Sequence, residues 1–314
     1  MRVFSSIEEA GENLSHPLLT IGNFDSVHLG HQALIRDIQS LKKQIGGEIT
    51  VLSFDPHPKT VLGHREPPKL INTADEKSEL LKERQIEAYI RHPFTREFSS
   101  LTPDEFFNTY LLHTLHIQAI IVGHDFKYGK NQKGNFEHLK KRCEEKGIQA
   151  KQLQTVEVEW DGKKIPVSSS QIRQSLQEGN IQLANALLGR NFFVRGIVVK
   201  GDGRGHQLGI PTANLFLKPR LLPKPGVYAT WAWDEKNLKH PSLTNVGFNP
   251  TFLEKQELRV ESHLLNFKGD LYGKPLKLEF ISRLRDEMRF SSTQLLIDQI
   301  EQDISQAQEL FAAH

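Results

Sequence analysis

The chain has 314 residues, enough for about two domains, and 40 Lys plus Arg against 38 Asp plus Glu leave a formal net charge of only +2. That near-neutral balance argues against a dedicated nucleic-acid binder, and 38% hydrophobic with 25% charged residues excludes a disordered chain. One cysteine, Cys143, excludes an intramolecular disulfide and a cysteine-based zinc finger, and no stretch reaches the ~18 apolar residues of a membrane span. The expectation is a soluble cytoplasmic protein with neither nucleic acid nor membrane as a partner.

In chain order, LLTIGNF (18–24) reads as a buried strand. Residues 31–43 follow as a helix with Leu34, Ile35, Ile38 and Leu41 at helical spacing. EITVLSF (48–54) is a second strand, 55–72 a loop rich in Pro and His, 74–85 a helix and 87–92 a strand. Thr102-Pro103-Asp104-Glu105 forms a capping box that opens a helix to about Leu115. Strand 118–123, helix 135–146 and strand 151–158 follow, then short helices at 169–177 and 181–188, stopped by Gly189. Strands alternating with helices imply right-handed βαβ units and a parallel sheet covered on both faces.

Beyond Gly189, Gly and Pro punctuate short β-type runs at 192–199, 226–233, 257–265 and 276–284, the pattern of an antiparallel barrel. Residues 291–313 read as one long terminal helix. The change of texture near 188–192 divides the chain into 1–188 and 189–314.

GNFDSVHLGH (22–31) lies where the first strand becomes the first helix. Gly22 and Gly30 allow close approach of backbone to a ligand, and His28 and His31, three apart, can both donate to phosphoryl oxygens at a helix N-terminus. Two surface histidines beside a cap are the competing reading, and zinc lacks an obvious third ligand. VSSSQIR (167–173) places Ser169 and Arg173 four apart on a helix, within reach of one phosphate. Ser168 with Gln171 is equally a capping box.

The first segment resembles the HxGH signature of the nucleotidyltransferase superfamily. FDPHP (54–58) and GHDFKYGKNQKG (123–134) resemble further signatures of its bacterial FAD synthetase branch. SSSQIR resembles the second superfamily signature, with Ser170 where Thr is usual. In the second half, GDGRGHQLGIPTANL (201–215) resembles the glycine-arginine-glycine and Pro-Thr-Ala-Asn signatures of riboflavin kinase. PGVYA, NVGFNPTF, VESHLLNF and DLYGK continue that resemblance in order. Gly203-Arg204-Gly205 is a basic turn able to wrap phosphates, and Thr212 and Asn214 offer oxygen ligands on one side of an extended segment, suited to Mg²⁺. No Walker A string is present.

The resemblance implies a bifunctional riboflavin kinase/FAD synthetase. It implies a Rossmann-like nucleotidyltransferase domain, then a six-stranded antiparallel barrel ending in a long helix. His28, His31 and Arg173 would act in adenylyl transfer and Glu261 as the base of the kinase. Gly22, Phe24, Asp25, Gly30, Ser168 and Ser169 would bind ATP in the first half and Gly203, Arg204 and Gly205 in the second. Pro56, Pro58, Asp125, Phe126, Arg285 and Glu287 would border flavin, and Thr212 and Asn214 would hold Mg²⁺. ATP, riboflavin, FMN and FAD are the implied substrates and products. Two other readings remain: a kinase with a degraded N-terminal domain, and a non-catalytic flavin-binding module. For Arg285 and Glu287, a helix-end ion pair is the alternative.

Overall fold

In the computed structural model, which describes residues 1–63, 68–201, 209–248 and 258–312, the chain divides into two units, Met1–Ser168 and Ser169–His314. The first unit runs β1 (Arg2–Phe4), α1 (Ile7–Gly11), β2 (Pro17–Ile21), α2 (Leu29–Ile45), β3 (Glu48–Asp55), α3 (Pro58–Leu62), α4 (Ala74–Glu83) and β4 (Ala88–Pro93). It continues with α5 (Arg96–Ser99), α6 (Pro103–Glu105), β5 (Ala119–Val122), α7 (Phe136–Glu144) and β6 (Gln149–Gln152). The six strands form one parallel sheet in the order β1-β4-β3-β2-β5-β6. All five residues of β2 are buried, as expected of a strand with helices on both faces. From β2 the chain builds outward through β3 to β4, then returns to place β5 on the other flank of β2. That reversal opens a crevice at the carboxyl ends of β2 and β5, where open α/β sheets bind ligands.

Two predicted elements are corrected. The capping box of Thr102 and Glu105 is present, but α6 gives way to a π-helix over Phe106–Thr114, closed by Leu115 N–H donating to the Tyr110 carbonyl. The wider turn aligns residues four and five apart, which keeps Phe106, Phe107, Leu111 and Leu115 all buried. The strand predicted over 151–158 is two strands. β6 ends at Gln152, and β7 (Glu157–Trp160) pairs with β8 (Lys163–Pro166) around Asp161-Gly162 in a separate hairpin. Asp-Gly is a favoured hairpin turn, and that signal lies in the sequence.

The second unit begins with α8 (Ser169–Glu178) and α9 (Ile181–Leu188). A closed antiparallel barrel follows: β9 (Phe192–Val199), β10 (Ala213–Phe216), β11 (Gly226–Trp233), β12 (Lys239–Phe248), β13 (Leu258–Leu264) and β14 (Pro275–Arg285), in the order β10-β13-β12-β11-β14-β9. Asn185 of α9 donates to the Phe280 carbonyl (2.9 Å) and accepts from Phe192 N–H (2.7 Å), while Gln182 donates to Ser282 (2.9 Å). Strand β12 escapes the apolar pattern because part of the barrel interior is polar. Thr230, Ser242, Thr244 and Ser262 are fully buried and satisfy one another in a chain of hydroxyl bonds of 2.7–3.0 Å. Each such buried hydroxyl would be costly without its partner. The terminal helix, Thr293–Ala312, packs Ile304, Ala307 and Phe311 on Val227 and Leu243, with the Phe311 ring 4.4 Å from that of Trp231.

Candidate functional site

At the end of β2 the backbone turns sharply. Phe24, Ser26 and Val27 all have positive φ (49°, 81° and 44°), which a β-branched residue such as Val27 adopts only under strain. Surrounding bonds hold the turn. The buried Asp25 carboxylate accepts from the backbone N–H groups of Ile71 and Asn72 (3.1–3.3 Å), and Gln32 donates to the Val27 carbonyl. Phe24 is itself fully buried, so its ring supports the site from beneath.

The turn delivers His28 as the N-cap of α2, its Nδ1 accepting from His31 N–H at 3.3 Å. With Nδ1 accepting, neutral His28 carries its proton on Nε2. The two imidazoles stack with centroids 3.7 Å apart, and Phe24 stacks on His31 at 4.6 Å. A Cβ at Gly30 would press on the His28 ring at 3.1 Å, and one at Gly22 on Phe24 at 3.3 Å, so both glycines make room for rings. Burial, then the neighbouring His28 and the Lys77 ammonium, hold the His31 pKa well below the usual imidazole range. His31 Nδ1 is sealed from solvent without a partner, which leaves Nε2 as the nitrogen able to serve a ligand. Together they set two stacked imidazoles at the N-terminus of α2.

The FDPHP loop joins this turn directly. His57 caps α3, and its Nε2 lies 3.1 Å from Asn23 Nδ2. Pro56 follows a cis bond from Asp55, and Pro58 opens α3. A cleft here is lined by Asn23, Asp25, Phe54, Asp55, His57, Asn72, Lys77, Tyr89 and Arg91. Asp125, exposed, and Phe126, half-buried and stacked on Tyr128 at 5.4 Å, follow the carboxyl end of β5 and do not line that cleft. Ser168 ends the first unit, while Ser169 and Arg173, both half-buried, stand one helical turn apart on α8 in the second. Lys77, half-buried in the cleft wall, was not foreseen, because in sequence it reads as one more charge on a solvated helix.

In the second unit the ladder gathers the other candidates. Along β13, Val260, Ser262 and Leu264 point into the barrel, so Glu261 and His263 point away from it. Asn214 of β10 and Asn245 of β12 stand directly across from Glu261 on its two sides. Thr212 precedes β10, and His263 Nδ1 bonds the Pro211 carbonyl at 2.8 Å. Gly201 lies against the Asn214 amide so closely that a Cβ would collide with it. Gly247 is likewise bare beneath the Glu287 carboxylate, and its missing Cβ would sit 3.1 Å from Asn245 Nδ2. Thr212, Asn214, Glu261, Asn245 and Glu287 therefore belong to one face of the barrel. Arg285 does not pair with Glu287, contrary to the helix-end alternative. Its guanidinium forks onto the buried Asp303 carboxylate of the terminal helix at 2.8–3.0 Å. Gly203, Arg204 and Gly205 lie outside the described residues.

Comparisons with known proteins match the two halves of the chain to two different families. The FAD synthetase family model matches residues 11–171, and the riboflavin kinase family model matches residues 188–311. The chain is 35% identical over 306 residues to the bifunctional riboflavin kinase/FMN adenylyltransferase of Bacillus subtilis, covering 96% of this chain and 94% of that one. It is 34% identical over 294 residues to the protein of the same name from Escherichia coli K12, covering 94% and 92%. Among solved structures, a Streptococcus pneumoniae protein described as a macrolide-efflux protein superposes with a TM-score of 0.87 at 30% identity, over 98% of this chain and 99% of that one. No helix among the described residues here is long and apolar enough to cross a membrane. By whole-length identity and by the order of its two matched domains, the chain belongs to the bifunctional riboflavin kinase/FMN adenylyltransferase family.

Proposed function

We propose that the chain makes both flavin cofactors in sequence, the barrel transferring the ATP γ-phosphate to riboflavin to give FMN and ADP. His28, His31, Ser169 and Arg173 then serve the transfer of AMP from a second ATP to FMN, giving FAD and pyrophosphate. The observation that carries this reading is the presence of two chemically different centres, one built for each acceptor. FMN brings a phosphate whose second pKa is about 6, so it is already nucleophilic at neutral pH and needs no base. The stacked His28–His31 pair is suited to that need, offering imidazole donors to the charge that develops on the α-phosphate and the leaving pyrophosphate. Arg173 adds a planar fork for phosphate oxygens.

Riboflavin brings a neutral alcohol, and the kinase centre accordingly holds a carboxylate. Glu261 orients the hydroxyl and accepts its proton as the bond to phosphorus forms. Asn214 and Asn245, paired with Glu261 across the ladder on its two sides, are proposed to orient that carboxylate. Asp125, Phe126, Pro56 and Pro58 are proposed to border the FMN ring, and Arg285 and Glu287 the riboflavin ring. Gly22, Phe24, Asp25, Gly30, Ser168 and Ser169 are proposed to shape the first ATP site and Gly203, Arg204 and Gly205 the second.

Mg²⁺ fits the donors present. The Thr212 hydroxyl and the Asn214 amide carbonyl are hard oxygen ligands, and bare Gly201 lets the Asn214 amide pack closely against the backbone there. Phosphate oxygens of ATP and water would supply the rest of the ion's oxygen ligands. When bound, the ion neutralises charge on the transferring phosphates. The cytoplasm, where ATP is abundant, is the proposed location.

The test is to supply purified protein with riboflavin, ATP and Mg²⁺ and to resolve FMN and FAD by chromatography. FAD should accumulate after FMN. FMN without FAD would support the kinase-only reading. Flavin binding with no product would support the non-catalytic one.

A further inference from the structure

The cleft beside the His28–His31 pair holds four charged side chains, and three of them are matched within the protein. Asp55 and Arg91 pair with each other at 2.7 Å. Asp25 accepts from two backbone N–H groups of the segment that precedes α4. Lys77 differs. Its ammonium donates to the Asn23 carbonyl at 2.9 Å, and among the described residues no carboxylate is close enough to form an ion pair with it, although Asp25 and Asp55 act on its charge. One neutral acceptor leaves two of its three N–H donors for something else.

Its position on the helix is also unfavourable. Lys77 is the fourth residue of α4, whose first turn begins at Ala74 behind the Thr73–Glu76 capping box. A cation there faces the positive end of the helix dipole, where anions are favoured. Burial opposes its charge, Asp25 and Asp55 favour it, and Arg91 opposes it. Asn72 and Ala74, at the start of the same helix, line the cleft with it. A half-buried ammonium that lines a cleft at the positive end of a helix, with one neutral acceptor as its hydrogen-bond partner among the described residues, marks a place where an anion arrives. The Lys77 charge also acts on His31, and the carbonyl it holds belongs to Asn23, next to the turn that delivers His28.

We propose that Lys77 is a phosphate-binding residue of the adenylyltransferase centre, its ammonium taking phosphoryl oxygens of a substrate in the cleft beside His31. This rests on the adenylyltransferase reading given above. The oxygens belong either to FMN or to the triphosphate of ATP, and kinetics distinguish the two.

The experiment uses the full chain with Lys77→Met, which keeps length and removes charge, and Lys77→Arg, which keeps charge. Riboflavin phosphorylation serves as the internal control for folding, with circular dichroism melts beside it. For Lys77→Met, KM in FAD formation should rise about 10- to 100-fold for one substrate, the loss expected of one charge-assisted contact. A rise for FMN alone assigns the FMN phosphate, and a rise for ATP alone assigns the triphosphate. Lys77→Arg should recover much of the loss, and kinase activity should be unchanged. Unaltered KM for both substrates in a folded Lys77→Met protein overturns the proposal, as does a fall in kcat alone that Arg does not restore. Calorimetric titration with inorganic pyrophosphate separates this question from the activity itself. If wild type makes no FAD, the adenylyltransferase reading fails. Equal pyrophosphate affinity of wild type and Lys77→Met would then remove the phosphate site as well, while weaker binding by the variant would retain it.

Discussion

Asn245 stands directly across the β12–β13 ladder from Glu261, on the face of the barrel that turns away from its interior. Cross-strand partners of this kind sit about 5 Å apart at Cβ, close enough for an amide to set the direction of a carboxylate. Glu261→Gln should lower riboflavin phosphorylation by about 10²- to 10⁴-fold, the usual contribution of a positioned base. Asn245→Leu should lower kcat for the same step with less effect on the KM for ATP. FAD formation from supplied FMN should continue in both. Near wild-type kinase rates in Glu261→Gln would place the base elsewhere.

For the stacked histidines, His31→Ala should reduce FAD formation by about 10²- to 10³-fold while FMN formation persists. Steady-state assays of the two half-reactions on one preparation check this. A folded His31→Ala protein that makes FAD normally would remove His31 from the chemistry.

The same residue ties stability to pH. His31 and the buried His92, which accepts from Ile7 N–H at 3.1 Å, both have pKa values lowered chiefly by burial. A lowered pKa means the unfolded chain takes up the proton more readily. The stability these residues contribute is therefore complete above the unfolded value of about 6.5 and is lost as pH falls below it. Melting temperature should drop between about pH 7.5 and about pH 5, and less steeply in His31→Phe, which keeps the stacking but cannot titrate. Identical slopes for the two proteins would refute the assignment.

Asp303 is 3% exposed and forks with Arg285 between the terminal helix and β14. Removing one partner of a buried pair strands the other, so Asp303→Ala should destabilise the second unit by about 3–5 kcal/mol. Denaturant titration measures it. A loss below about 1 kcal/mol would show that water replaces the carboxylate.

The functional boundary is proposed near Gly189, with residues 1–188 converting FMN to FAD and 189–314 converting riboflavin to FMN. The bonds from Asn185 and Gln182 to the barrel add a condition. A fragment starting at 189 loses them, so residues 169–314 should melt higher than 189–314. If both fragments fold but either lacks its half-reaction, the proposed division of labour is wrong.

How much of this was legible in the sequence depended on the environment each element faces. β2 and α2 were readable because their burial is wholly apolar or strictly periodic. β12 was not, since Ser242 and Thr244 look like solvent-facing residues yet both bond Thr230 inside the barrel. The π-helix was hidden because nothing in FFNTYLLHT distinguishes a period of 4.4 from one of 3.6 over two turns. Among the candidate residues, His28, His31 and Glu261 lay in recognisable strings. Lys77 and Asn245 owe their places to tertiary packing and cross-strand register, which no local pattern announces. Asp303 left a trace, because it sits on the apolar stripe of its helix between Ile300 and Ala307, where a carboxylate needs a reason.

The hydroxyl chain inside the barrel bears on which changes of length this protein can absorb. Thr244 bonds Ser262 across the same two strands that carry Asn245 and Glu261 one residue further along. Side chains alternate between faces with a period of two, so inserting or deleting one residue in β13 would carry Glu261 into the interior and turn Ser262 out. Thr244 would lose its bond to Ser262 and gain a buried carboxylate as neighbour. Insertions should therefore be admitted in the turns between strands and refused within β12 and β13, so that the proposed catalytic face and the polar interior can only change together.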